Sequence, residues 1–458
     1  MAFDPTLAAV RFGTGLAPGG VLPASVDVML SQLSGPDLAA QRWPVPLYED
    51  ARPTRAEIRD VNRTRRDTRG TPDEAAGEEA YQAQRQEVEV TKWRGLAAVA
   101  ARNVGTEDGL RERLVLFWAN HFTVRGKNVA GEHLVTPFVE SAIRPRITGR
   151  FANMLRAVIL NPEMLIYLDQ TRSMGPNSEA AQRRDRGLNE NLARELLELH
   201  TVGVGGPYTQ TDVREMAELL TGLGWTVDRG MHYRRDHAEP GSETVLGVTY
   251  PDDASLRVIE TALEGLANHP ATAAHVAHKM AVHFVSDTPD DSLVEAMTAR
   301  FIETEGNLLS VTRAMLEHPA AWGPELAKAK PPFGFLTSAL RALGADPDAI
   351  AALDRRDTRR FLGNPLALMG QPWEDPGGPD GWPEAAEEWI APQGLAARIS
   401  WAMRMPRQIV DPLPDPRDFV GTALGPLAGE VTVFAAGAAE SRHEGVGVVL
   451  ASADFNRR

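Results

Sequence analysis

Apolar positions recur along most of this chain at three- and four-residue spacing, the pattern of helices that bury one face against a core. "VDVMLSQL" carries that period in a short segment. "EDGLRERLVLFWANHFTV" is apolar on nearly every side, which predicts a buried helix over 111–122. "TPFVESAIRPRITGRFANMLRAVILNPEMLIYLD" predicts two more helices, with Pro145 and Pro162 near their starts, where a missing N–H is harmless. "GLNENLARELLELH" predicts a helix over 188–201, and "YTQTDVREMAELLTGLGW" one over 209–221. Thr209 stands three residues before Asp212, as in a capping box, and Gly222 or Gly224 supplies the stop. Between 225 and 250 the period changes. "WTVDRGMHYRRDHAEPGSETVLGVTY" sets β-branched and aromatic residues around glycine turns, which predicts a two- or three-stranded insertion. Helices resume at 253–267, 270–285, 289–304, 307–318 and 331–343, and "LAARISWAMRM" adds another. The expected fold is mainly α, a large multi-helix globular bundle with a small β-hairpin insertion near 225–250.

The same pattern suggests the organisation of the chain. Residues 1–50 form an N-terminal helical segment. Residues 51–92 interleave arginines with acids and hold almost no large apolar side chain, so they predict a solvated arm or exposed helix. No clean linker divides 93–405, the expected main helical domain, which includes a Trp/Pro/Gly loop at 361–393. "DPLPDP" then leads into a helical tail within 406–458. No repeat at a solenoid period is present.

Composition narrows the function classes. The chain has 458 residues, 43% of them hydrophobic, enough for a large core. It has no cysteine, so disulfides, thiolate ligands and cysteine nucleophiles are excluded. A net charge of −14 would repel a phosphate backbone, so nucleic acid is not an expected partner. No apolar run is long enough for a transmembrane helix. "MAFDPTLAAVRFGTGLAPGG" has an acid at Asp4 and neither a basic start nor an apolar stretch, so no secretory signal is expected. The expected compartment is the cytoplasm, or the periplasm if the chain is exported with a partner. Only Lys92, Lys127, Lys279, Lys328 and Lys330 are lysines, a bias attributable to codon usage.

Candidate chemistry concentrates in 188–201. At about 100° per residue, Leu192, Leu196, Leu199 and His200 span an arc of roughly 80° to 180° from Asn191. Asn191, Arg194, Glu195 and Glu198 share the opposite side. Two carboxylates that close could hold a hard cation or shift one another's pKa. The bland alternative is i,i+4 ion pairing through Arg194 on a wet face, with His200 as a core histidine bonded to a carbonyl. His121 lies on the apolar face of its own helix, with Asn120 beside it at the helix end. His275, His278 and His283 cluster in "HVAHKMAVHF" without the His-x3-His spacing of a metal pair. His232, Asp236 and His237 fall in the hairpin region. Trp373, Trp382 and Trp389 sit on the Gly/Pro loop, where flat rings could stack on a sugar or a peptide, or simply pack the loop down. Walker A, GxGxxG, GxSxG, HExxH, EF-hand and zinc-finger spacings are all missing.

"LVLFWANHFTV", "RGLNENLARELLELHTVGVGGPYTQTDVREMAELLTGLGWT", "HPATAAHVAHKMAVHFV", "MGQPWEDPGGPDGWPEAAEEW" and the closing "ASADFNRR" together resemble the bacterial family catalogued as domain of unknown function 1800. That resemblance covers the chain from about Val10 to its end. It implies no established reaction. It does single out Asn120, His121, Asn191, Arg194, Glu195, Glu198 and His237, and it implies an exported setting beside sulfatase-like proteins. Thr244 stands where the family word commonly has a basic residue.

Two functional expectations follow. In the first, the 111–122, 188–201 and 209–221 helices enclose a polar pocket that binds a divalent metal or performs acid–base chemistry. Glu195 and Glu198 are its carboxylates, His121 a ligand or acid, His237 a further catalytic group, and Asn120, Asn191 and Arg194 bind or orient the ligand. In the second, the chain is a non-catalytic binding or assembly partner of an exported sulfatase-like protein or a polysaccharide, with Trp373 and Trp382 as the contact surface.

Overall fold

The computed structural model describes residues 3–52, 54, 63, 65–127, 131–183 and 187–458. The chain is mainly helical, with two small antiparallel hairpins. The helices form where the apolar period predicts them: Gly109–His121, Gln210–Leu219, Leu256–Ala267, Pro270–Phe284, Asp291–Glu303, Leu308–Glu317, Pro332–Ala342 and Pro392–Arg404. Their ends carry local signals. Thr209 and Asp212 form a reciprocal capping box. Asn161, His269, Asp290 and Asn307 each accept a backbone N–H of the first turn of the helix they precede. The Asn191–Glu195 helix runs on into a wider π turn, Leu196–His200, a change of pitch that a simple 100° wheel does not capture.

The hairpins join Leu223–Thr226 to Gly230–Tyr233 and Thr244–Val245 to Val248–Thr249. His232 is on a strand, whereas Asp236 and His237 follow it in a short 3-10 turn, Arg235–His237. Much of the arm expected at 51–92 is the exposed first half of a 32-residue helix, Glu74–Gly105, which continues past position 92 and buries Leu96, Ala97, Ala100, Ala101 and Val104. Residues 53, 55–62 and 64 of that arm lie outside the described residues. The stretch 361–393 is less loop-like than expected, because Asn364–Leu368 and Ala386–Trp389 are helical and irregular backbone is confined to the segment between them. Among the described residues, no helix is long and apolar enough to cross a membrane.

Two apolar clusters fill the interior. The larger gathers the N-terminal residues, Gly109–His121, the helices from 151 to 168, and the segments from 192 to 322. The second gathers Trp43, the buried end of Glu74–Gly105, Pro332–Ala342 and the C-terminal helices. The chain end returns across the molecule. Arg457 bridges Ala329 in antiparallel fashion, Lys330 N donates to Asn456 O at 2.9 Å, and Arg458 N donates to Lys328 O at 2.9 Å. That pairing carries Lys328, Lys330 and Arg458 to the seam between the clusters.

Candidate functional site

A cavity of about 190 Å³ opens at this seam. A single water needs only about 10–15 Å³ on the same measure, so the space suits a small organic molecule. Apolar residues of both clusters line it, among them Val115, Val124 and Phe138 from one and Phe333 and Leu366 from the other.

The charged residues around it divide into two groups. On one side every arginine has a carboxylate. Arg102 makes a bidentate pair with Glu140 at 2.8 and 3.3 Å. Arg144 reaches Glu112 at 3.1 Å and Asp37 at 2.7 Å. On the other side stand Arg113, Lys330 and Arg458, only 6%, 6% and 3% exposed. Among the described residues none of these three makes an ion pair within 4 Å. Arg113 donates to Gly13 O at 3.4 Å, Arg458 to His283 O at 3.3 Å, and Lys330 Nζ to Ser338 Oγ at 3.2 Å.

Glu384 is the carboxylate nearest this group. It accepts from His283 Nδ1 at 2.7 Å, while His283 Nε2 lies 3.3 Å from Arg113 Nη2. A guanidinium can only donate and an ionised carboxylate can only accept. His283 is therefore the neutral tautomer with its proton on Nδ1. Burial drives its pKa down to about 4 despite the pull of Glu384. Burial alone would raise Glu384, but His283, Arg458 and Lys328 outweigh it and hold the carboxyl at about 2. Glu384 is shared further, since Lys328 pairs with it and with Asp287.

The 371–385 segment closes the cavity on another side. Asn120 clasps its backbone: Trp382 N donates to Asn120 Oδ1 at 2.7 Å, and Asn120 Nδ2 donates to Trp382 O at 3.0 Å. The adjoining Gly381 has φ +80°, and a Cβ there would sit 2.5 Å from Asn120 Oδ1. Trp373 packs on Phe333 with ring centroids 5.4 Å apart, and Trp389 is buried with its N–H on Pro383 O at 3.0 Å. Trp373 and Trp382, expected as an outward contact surface, instead line the cavity and are half-buried. Their rings gain more from apolar neighbours than from water.

The cavity at the seam is not the pocket expected between the 111–122, 188–201 and 209–221 helices. Gly109–His121 lines the cavity, but the other two helices do not. Asn120, Trp373 and Trp382 are brought together there. Asn191, Arg194, Glu195, Glu198, His121 and His237 lie elsewhere. Arg194 bridges Glu190 at 3.2 Å and Glu198 at 3.1 Å, the i,i+4 pairing of a wet face. Glu195 is raised by partial burial and by Glu198, with Asp380 adding to the effect. His121 faces His200 and His275 rather than Glu195. His200 Nδ1 donates to His121 O at 3.0 Å, His121 Nε2 donates to His200 O at 3.2 Å, and His275 Nε2 donates to Leu199 O at 3.2 Å. Burial holds His200 at about 3 and, with Lys279 adding to it, His275 at about 4, so these are neutral histidines that bond backbone carbonyls of neighbouring segments. His237 is buried, with Nδ1 3.1 Å from Asp236. Among the described residues, no group of three or more His, Asp or Glu side chains is placed to hold a metal, so His121, Glu195 and Glu198 do not form the expected centre.

Sequence reasoning missed Arg113, Lys330, Glu384 and Arg458 as members of one site. His283 stood in a histidine cluster, and Glu384 and Arg458 stood inside the family-like words, but they are far apart in sequence. The available signal was lysine itself, present at both 328 and 330 in a chain with only five lysines.

A family model described as "Protein of unknown function (DUF1800)" matches residues 11–457. No curated protein and no solved structure matches the chain.

Proposed function

We propose that this chain, which belongs to the DUF1800 family, binds a small anionic organic molecule in the seam cavity, with Arg113 and Arg458 receiving its charge. The observation that carries this reading is that Arg113 and Arg458 are buried at the cavity wall with no carboxylate within ion-pair reach, Glu384 acting on them only at longer range. A buried charge without a partner costs several kcal/mol. Across the same cavity Arg102 and Arg144 are paired with carboxylates, so the two walls differ in how their charge is met. Trp373, Trp382 and Phe333 would cover the apolar part of the ligand, and Asn120 holds the covering segment in place.

The acid–base chemistry expected from the sequence fits this cavity better than the 188–201 helix. His283 is positioned by Glu384 and titrates far below neutrality, so its Nε2 lone pair is present at pH 7. Arg113 holds that lone pair until a ligand anion draws the guanidinium away.

Thermal unfolding of the purified chain with acetate, phosphate and sulfate, set against acetamide as a neutral shape match, tests the reading. A ligand at about 100 times its Kd stabilises by about 2.7 kcal/mol. Stabilisation by at least one anion, absent with acetamide and weakened at least tenfold in Arg113→Gln and Arg458→Gln, is the expected result. Equal response to charged and neutral probes, or an unchanged response in both variants, would overturn it.

A further inference from the structure

Five of the 48 Lys and Arg positions are lysine, and two of them, Lys328 and Lys330, reach this seam from one short extended segment. Their surroundings differ. Lys328 Nζ is bonded to Asp287 and to the backbone and carboxylate of Glu384. Lys330 Nζ has the Ser338 hydroxyl at 3.2 Å and the face of Phe455 at 3.9 Å, and no carboxylate within ion-pair reach. Its side chain lines the cavity together with Arg113, Arg458 and Ser338. A site that needed only positive charge would be served better by arginine, which stays charged when buried and grips carboxylates with two donors. An amine offers what a guanidinium does not, a nitrogen lone pair that adds to carbonyl carbon.

We propose that Lys330 is a nucleophilic amine that forms an imine with a small 2-oxo acid, whose carboxylate is held by Arg113 and Arg458. The inference rests on the anion-binding reading above and names the class of anion. Burial, then the charges of Arg458, Arg398 and Arg113, bring the amine down to about 7, so a large share is unprotonated at neutral pH. In the reaction the Nζ lone pair adds to the oxo carbon and the C=O π electrons move to oxygen. A proton passes from nitrogen to that oxygen, and the Ser338 hydroxyl is placed to relay it. The carbinolamine then loses water, its hydroxyl leaving with the remaining nitrogen proton, and the C=N bond forms. Amine and carbonyl give imine and water, with no change of oxidation state.

The test uses the full chain, glyoxylate and pyruvate as probes, and cyanoborohydride to reduce an imine to a stable secondary amine. Calorimetry without reductant reads binding separately. Intact mass and peptide mapping over the five lysines read the adduct. Expected are one adduct per chain on Lys330, labelling that rises through pH 7, protection by an anion that lacks a carbonyl, and loss of labelling in Lys330→Arg, which circular dichroism shows to be folded. An oxo acid that binds without trapping on Lys330, or adducts spread evenly over the lysines, overturns the imine while sparing the anion site. Failure of the oxo acids to bind while other anions do also overturns the imine alone. Failure of every anion to bind overturns both.

Discussion

Lys330 sets the clearest stability test at the scale of a single residue. Its amine titrates near 7 in the folded chain and near the ordinary 10.5 when unfolded. Between those values the unfolded chain binds more protons, so the stability that Lys330 permits at high pH is lost as pH falls from 10.5 to 7. It stays lost below pH 7. Lys330→Met removes the charge, keeps a flexible apolar stem over Phe455, and leaves no carboxylate orphaned. The variant should be more stable than the natural chain by about 1–4 kcal/mol below pH 7, with the gain fading toward pH 10.5 in urea titrations. Glu384→Gln should do the reverse. It takes the carboxylate from His283 and Lys328 and leaves the buried cations less compensated, and about 3–5 kcal/mol of destabilisation is expected in the same titrations. A stabilised Gln variant would mean that Glu384 is not the charge that holds this group together.

Single elements show why some of the structure was readable in the sequence and some was not. Pro270–Phe284 announces itself, because apolar period, a proline at the first position and a capping side chain all act within a few residues, and Leu256–Ala267 does so by its apolar period alone. The ion pairs of Arg194 were readable for the same reason, being one turn away on either side. The seam cavity has no local signature. Arg113, His283, Lys330, Glu384 and Arg458 come from five separate segments, and only the return of the chain end along Lys328–Lys330 brings the last of them in. The covering segment is intermediate. Its tryptophans stood out, but the device that fixes it is the clasp between Asn120 and Trp382, 262 positions apart. Gly381→Ala tests that device. The added Cβ meets Asn120 Oδ1, Asn120 O and Thr123 Oγ1 inside 2.8 Å, on a backbone at φ +80° that side chains disfavour. A loss of about 1–3 kcal/mol is expected, with amide exchange accelerated in 371–385 and unchanged in Leu256–Ala267. Uniform acceleration in both would show that the clasp does not act on the segment it touches.

At the scale of the whole molecule, two sets of buried groups pull stability in opposite directions with pH. His200, His275 and His283 titrate at about 3, 4 and 4, each depressed mainly by burial, and His121 is depressed as well. An unfolded histidine binds its proton near 6.5, so each contributes stability that is full above that value and is lost as pH falls. The slope is up to about 1.4 kcal/mol per pH unit for each. Buried carboxyls act oppositely. Glu163 is raised to about 8 by burial and then by the nearby Glu374, which is itself raised to about 7. A folded carboxyl that keeps its proton while the unfolded one has lost it near 4.5 costs stability progressively as pH rises from 4.5 to the folded value. The sum is a stability curve bounded on its acid side by histidines and on its alkaline side by acids. Glu163→Gln separates the two. Gln copies the protonated acid, so the variant should match the natural chain at pH 4.5, where both are neutral. It should pull ahead steadily to an advantage of a few kcal/mol by pH 8, while the acid limb set by the histidines keeps its slope. Urea midpoints at pH 4.5, 6 and 8 read this directly. A difference that does not change with pH would mean that Glu163 is ionised in the folded chain and draws compensation from its surroundings, with Tyr48 as the neighbour to remove next.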